Sequence, residues 1–419
     1  MSRTFASLRI YNYRCFAIGA LASNVGTWMA RTAQDWLVLT ELTDHSSTAL
    51  GLVTGLQFLP IPLLAPYAGA VIDRVSKITL LKITQAALAL NAFALFILVA
   101  TNTAEIWHVY LLAVLQGIAV SFDNPARQAF VNELVPHDLV ANAVGLNSAS
   151  FNSARLFGPA VAGLAIGAWG VAPALAINAT SFGAVLLSLF LIRRDALLLS
   201  PRRQGKSTVA EGIAYVRARP DLLLIFLVIF MLGTFGMNFQ ITMALMATKV
   251  YDKGAEEFGL LGSFMAIGTL AGALLAARRG KPRLRVLLGA MGAFSVVCFL
   301  AGLAPSYTVF AALLIPCGFF ALTVTTTANS TVQLSTQPEF RGRVMALYTA
   351  IFLGGTPLGA PIIGWMGDAF GPRWTLLAGA IACGITFLAV GWFLVSRRQL
   401  RARLRLRWPL RLEVWHKEA

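Results

Sequence analysis

Long apolar runs separated by short charged turns recur along the whole of this chain, and that alternation leaves few folds open to it. Ala49 to Ile72 and Ile78 to Ala100 flank the turn Asp73-Arg74-Val75-Ser76-Lys77. Each run is long enough, at ~1.5 Å per helical residue, to cross a hydrocarbon layer about 30 Å thick. The turn between them therefore sits at a membrane face. With 57% hydrophobic and 12% charged residues, the chain has more apolar surface than a water-soluble core can hide, so it reads as an integral membrane protein. Apolar runs spaced roughly thirty to thirty-five residues apart give about twelve spans. Alternating ten-residue segments are missing, which excludes a transmembrane barrel.

A net charge of +16 would suggest nucleic acid in a soluble protein, but the placement of the charges gives another answer. Counted from a cytoplasmic start through twelve crossings, all but five of the 34 Lys and Arg residues fall on the cytoplasmic side. The five exceptions are Lys249, Lys253 and Arg373 on the other side and Arg31 and Arg155 within spans. This bias follows the positive-inside rule and places both termini in the cytoplasm of a multi-pass protein of the cell membrane. The partner it implies is the lipid bilayer, not nucleic acid.

Cys15, Cys298, Cys317 and Cys383 lie in or at the start of apolar runs without a C-x-x-C pair, and read as small core residues. His45, His108, His137 and His416 fall in loops or the tail, so no metal site is expected. Ala20-Leu21-Ala22 resembles a signal-peptidase site, but the apolar stretch before it is too short for a signal segment. No G-x-x-x-x-G-K-[ST] occurs, and no nucleophile-base constellation points to an enzyme.

The expected organisation is all-α: a six-helix bundle over 1–192, a cytoplasmic linker with a surface helix over 193–220, a second six-helix bundle over 221–396, and a basic tail over 397–419. The tail alternates Arg and Leu and is expected to form a basic helix or strip on the inner membrane surface. A weak repeat at an offset of about two hundred sets Gly163–Gly170 against Gly364–Gly371 and Lys77 against Lys281, as duplication would. The fourth span is expected to end near Phe122, because Pro125 follows in Asp123-Asn124-Pro125-Ala126-Arg127.

The turn Gly69-x-x-x-Asp73-Arg74-x-x-Lys77, the phrase Asp123 to Phe130, Asn329 to Gln333 and Arg341-Gly342-Arg343-Val344-Met345 together resemble the major facilitator superfamily. Within it they resemble the drug:proton antiporter and siderophore-exporter branch, known as transmembrane secretion effectors. The resemblance implies twelve transmembrane helices in two pseudo-repeated halves. It also implies a gate latch at Gly69, Asp73, Arg74 and Lys77; Asp73 is expected either to accept from the start of the eleventh span near Gly342, with Arg127 and Arg343 as partner charges, or only to set topology and folding at a tight turn. Gly158-Pro159-x-x-x-Gly163 resembles the exporters' antiporter signature, with Ala154 and Ala162 where glycine is usual. Ser76 replaces a turn glycine, and Ala113 stands where many proton-coupled relatives carry arginine.

With no histidine in the spans, a proton carrier must be a carboxylate, and Asp35 and Asp123 are the candidates, with Glu133 behind them. Asp35 lies four residues from Arg31 and so shares its helix face. Either alternation between burial and the neighbourhood of Arg31 or Arg155 moves a proton, or a permanent ion pair only orients helices. Family-like geometry points Asn24, Trp28, Gln116, Phe235, Asn238, Gln240, Met243, Thr323, Thr326 and Asn329 at a central cavity. Such a lining suits lipophilic or amphipathic small molecules. The expected function is efflux of such molecules by alternating access, with the proton gradient and no cofactor as energy source, carried out by a monomer. Import or uniport on the same fold, or a non-transporting receptor or scaffold, is the alternative.

Overall fold

The computed structural model describes residues 3–198, 209–278, 282–396, 401–405 and 411–415. After a short 3-10 turn, Arg3–Arg9, helix α1 runs from Tyr11 to Trp36 and continues through a wider π-helical turn to Leu42. The remaining helices of the first half are α2 (Ser47–Phe58), α3 (Pro60–Arg74), α4 (Lys77–Ala100), α5 (Ile106–Leu134), α6 (Val140–Trp169) and α7 (Val171–Leu191). A linker helix α8 (Val209–Arg217) leads to α9 (Pro220–Met231), α10 (Phe239–Leu245), α11 (Ala255–Arg278), α12 (Leu284–Gly302) and α13 (Tyr307–Ser335). Then come α14 (Pro338–Gly354), α15 (Thr356–Phe370) and α16 (Trp374–Ser396).

Among the described residues, ten helical stretches are long and apolar enough to cross a membrane. Helices α1 and α6, with 26 and 30 residues, match them in length and miss only in apolarity. The reason is local: α1 carries Asn24, Arg31, Gln34 and Asp35, and α6 carries Asn147, Asn152 and Arg155. Polar groups are expensive in hydrocarbon, so these two helices turn their polar faces inward. Leu90, Phe190, Leu388 and Trp392, by contrast, stand outward as a lipid-facing surface.

Within the first half α1 packs on α6 and α7, and α4 on α5 and α7; within the second, α13 packs on α11 and α12, and α12 on α16. The halves meet chiefly through α2 on α15 and α6 on α11. Both contacts lie at the face opposite the termini, where small residues allow backbones to touch. A Cβ at Gly259 would stand 2.2 Å from the Pro159 carbonyl, and one at Gly364 would stand 2.4 Å from that of Ser47. At the basic face, which carries the termini and α8, a Cβ on Gly69 or Gly342 would meet nothing within 4 Å. The bundle is thus closed at one face and parted at the other.

Four expectations change. Helix α5 does not end near Phe122 but continues through Pro125 to Leu134. Proline removes only one helical N–H bond there, and the carboxylate of Asp123 fastens the helix to α4 on the near side of the break. The seventh span is not one helix: π-helical turns at Leu232–Gly236 and Met246–Val250 bracket α10. Among the described residues of the tail there is no helix: strand β1 (Arg401–Arg405) pairs antiparallel with β2 (Arg411–Trp415). An Arg-Leu alternation of period two fits a strand and not a 3.6-residue helix. His108 lies in the first turn of α5, where its Nδ1 accepts from the Glu105 N–H at 3.1 Å.

If close backbone approach seals the opposite face, Gly259→Leu should hold it open. A cysteine at Thr32 should then react several-fold faster with an impermeant maleimide added at that face of sealed vesicles. Unchanged labelling would contradict the packing account.

Candidate functional site

Two cavities lie in series between the basic face and the closed one. The deep cavity, about 180 Å³, is walled by Trp28, Arg31, Thr32 and Asp35 of α1, Arg155 and Pro159 of α6, Met237, Phe239, Gln240 and Met243 in and beside α10, and Phe258, Gly262 and Met265 of α11. The π-helical turns flanking α10 rotate that short helix, which brings Phe239, Gln240 and Met243 onto the cavity wall. Gly158 sits against Trp28, where a Cβ would come within 2.6 Å of the Trp28 Cβ, so glycine sets the α1–α6 spacing. Gly163 does the same for α6 and α11, against the Ala255 carbonyl.

Asp35 is 5% exposed. It belongs to none of the ion pairs among the described residues. Arg31 stands instead over the rings of Trp28, at 5.8 Å, and Phe58, at 5.3 Å, while Arg155 stands over Trp28 at 5.7 Å. The permanent ion pair that sequence spacing allowed is therefore not formed in this conformation. The aromatic faces hold both guanidinium groups by cation–π attraction.

The second cavity, about 900 Å³, is a vestibule nearer the basic face, lined by residues of the first half. Asn24, Gln116, Asn124, Gln128, Asn132, Asn147 and Asn152 make it rich in amides, and Asp123 and Arg127 add a charged pair. Phe151 belongs to the vestibule wall and meets Trp28 of the deep cavity edge to face, with ring centroids 5.7 Å apart. Asp123 is buried and fully engaged: Thr84 Oγ1 donates to it at 2.8 Å, Gln85 Nε2 at 2.7 Å, and Arg127 Nη2 and Nε at 3.1 and 3.2 Å. Asp123 thus ties α4 to α5, whereas Asp35 has no such partners.

The proposed latch residues are dispersed. Lys77 pairs with Glu133 at 2.5 Å within the first half, and Arg127 is held by Asp123. Arg343 pairs with Glu211 of α8 at 2.5 Å, and Tyr215 of α8 stacks on Phe340 with centroids 4.6 Å apart. The linker helix therefore covers the start of α14. Arg74 is exposed, and the Asp73 side chain lies outside the described residues.

At the closed face the sequence reading missed a carboxylate that joins the halves. Asp368, near the end of α15, accepts from Ser47 N–H at 2.9 Å, Ser47 Oγ at 2.6 Å, Thr48 N–H at 2.8 Å and Ser46 Oγ at 3.1 Å. It caps the amino end of α2 from the other half, where free N–H groups and the helix dipole favour an anion. The signal available in sequence was Ser46-Ser47 before an apolar run and a lone aspartate near the end of another.

Of the remaining candidates, Trp28, Gln240 and Met243 line the deep cavity and Asn24 and Gln116 the vestibule. Phe235 and Asn238 face away, toward Phe294, Leu376 and Gly379 of α12 and α16. The Thr323 and Thr326 hydroxyls donate to the Phe319 and Leu322 carbonyls of their own helix α13, and Asn329 lines neither cavity. Removing Asp123 would strand Arg127, whose side chain is 17% exposed. Asp123→Ala should lower stability in detergent by about 3 kcal/mol, and adding Arg127→Ala should restore part of it. A loss no larger than that of a surface substitution would contradict this role.

Comparison with known proteins agrees with this architecture. The family described as transmembrane secretion effector matches residues 2–411. The chain is 27% identical over 361 residues to the staphyloferrin A transporter of Staphylococcus aureus, covering 83% of this chain and 87% of that one. It is 24% identical over 354 residues to macrolide efflux protein A of Streptococcus pyogenes, covering 82% and 86%. Among solved structures, a bacterial homolog of the human lysosomal transporter Spinster, inward-facing and unoccupied, superposes with a TM-score of 0.71 at 17% identity, over 94% of this chain and 99% of that one. With the family matched over nearly its whole length and the bundle described above, this chain belongs to the transmembrane secretion effectors of the major facilitator superfamily.

Proposed function

We propose that this protein exports lipophilic or amphipathic small molecules across the cell membrane in exchange for protons, by alternating access. The observation that carries the reading is Asp35. It is a buried carboxylate at the inner end of a cavity, close to two guanidinium groups and paired with neither. A carboxylate set apart from its counter-charge can hold a proton, and the same carboxylate drawn against a guanidinium releases it. Asp123, with four donors, lacks that freedom.

In this reading the twelve spans place the basic face in the cytoplasm, so the parted face is the inward one. Leu88, Val120, Phe151 and Phe182 of the vestibule offer apolar contacts, and the vestibule amides fix orientation. Relatives named for staphyloferrin A and for macrolides suit a substrate of that mixed character. The Asp368 cap serves as the outer latch. Asp73 takes the amino end of α14 when the inner face closes, with Arg343 leaving Glu211. One chain supplies both cavity walls, so a monomer suffices.

In inside-out vesicles with an imposed proton gradient, adding lipophilic cations, neutral drugs or siderophore-like compounds should evoke proton release. Asp35→Asn should abolish it. Release that persists in Asp35→Asn would move the carrier elsewhere, and an absence of release in the wild type with every compound would overturn antiport.

A further inference from the structure

The two cavities share one wall element. Phe151 faces the vestibule, Trp28 faces the deep cavity, and the two rings touch edge to face at 5.7 Å. The Trp28 ring also carries both guanidinium groups, Arg31 at 5.8 Å and Arg155 at 5.7 Å. Neither arginine makes an ion pair or a hydrogen bond to another described residue. Their position thus rests on aromatic rings rather than on directional bonds. Cation–π attraction is soft: it holds a group over a face without fixing its angle, so a small tilt of the indole displaces both cations. The charged groups around Asp35 are then Arg31 on its own helix and Arg155 on α6, while α10 and α11 contribute only uncharged residues to the cavity.

From this arrangement we infer that Trp28 and Phe151 couple substrate to proton: a substrate in the amide-lined vestibule presses Phe151 against Trp28, and the tilted indole delivers Arg31 and Arg155 to Asp35. The inference rests on the antiport reading above and adds two statements to it. Substrate and proton occupy different compartments, the 900 Å³ vestibule and the 180 Å³ deep cavity. Substrates are polar amphipaths that hydrogen-bond to amides and present an apolar or aromatic edge to Phe151. The proton balance is simple: one proton leaves the Asp35 carboxyl for bulk water, and the carboxylate so formed is neutralised by a guanidinium already present. Return of the guanidinium groups to the indole after substrate departs resets the site for a proton from the other face. Trp28 and Phe151 act as positioning residues, since neither exchanges the proton.

The test uses the full chain reconstituted in liposomes with an internal pH dye, with erythromycin and rhodamine 6G, an aromatic amphipath bearing N–H donors and an ester acceptor, as probes and equilibrium dialysis for binding. In Phe151→Leu and Trp28→Leu the protons released per probe bound should fall roughly fivefold or more, whatever share of the affinity the Phe151 ring itself supplies. Trp28→Phe, which keeps a ring face, should recover part of the ratio. A ratio unchanged in both leucine variants overturns the coupling role and leaves antiport standing. Loss of binding together with release, in both leucine variants and in Trp28→Phe, also overturns it, because the pair would then be part of the substrate site. No proton release from the wild type with either probe sinks the antiport reading and this inference with it.

Discussion

Among the described residues the halves of this protein are held together chiefly at one face, and the contact that most defines that face is a single carboxylate on the end of a helix. Asp368 of the second half receives two backbone N–H groups and two hydroxyls from the start of α2 in the first. Hydrogen bonds to a charged group contribute about 1.5 to 3 kcal/mol each when sheltered, and less where water competes, as at this exposed cap. The sum biases the closed face without locking it. Closely packed backbones at Gly259 and Gly364 supply the rest.

The parted face is organised differently. There, ion pairs stay within a half or run to the linker: Lys77 to Glu133, Arg127 to Asp123, Arg343 to Glu211. Each half is thereby rigid while no described ion pair bridges them at that face. Between the two faces, the cavities place an ion-paired carboxylate, Asp123, near the entrance and one in no described ion pair, Asp35, at the depth.

Much of this was legible in the sequence. Apolar runs located spans such as α4, expected over Ile78–Ala100 and found over Lys77–Ala100. Inward-facing polarity marked α1 and α6 because a charge in hydrocarbon must turn toward protein or water. Periodicity does not, however, say which helices become neighbours. The partners of Asp123 on α4, the pairing of Arg343 with the linker, and the cap of α2 by Asp368 all depend on tertiary placement, separated by 39, 132 and 321 positions along the chain. Pro125 misled because the penalty for proline is local while the anchoring of α5 is not. Phe235 and Asn238 were misplaced for a related reason: the π-helical turns beside α10 shift its facing, and no residue pattern announces them.

The central claim is that the two faces open reciprocally about the cavities. Paired spin labels report this directly, one pair at Gly69 and Gly342 on the basic face and the other at Thr103 and Pro305 on the opposite face, in reconstituted protein at high and low pH with and without substrate. Reciprocal change, the first distance shortening as the second lengthens, is the expected result. Two distances that rise and fall together, or neither moving under any condition, would contradict alternating access and the gating roles assigned to Asp73 and Asp368.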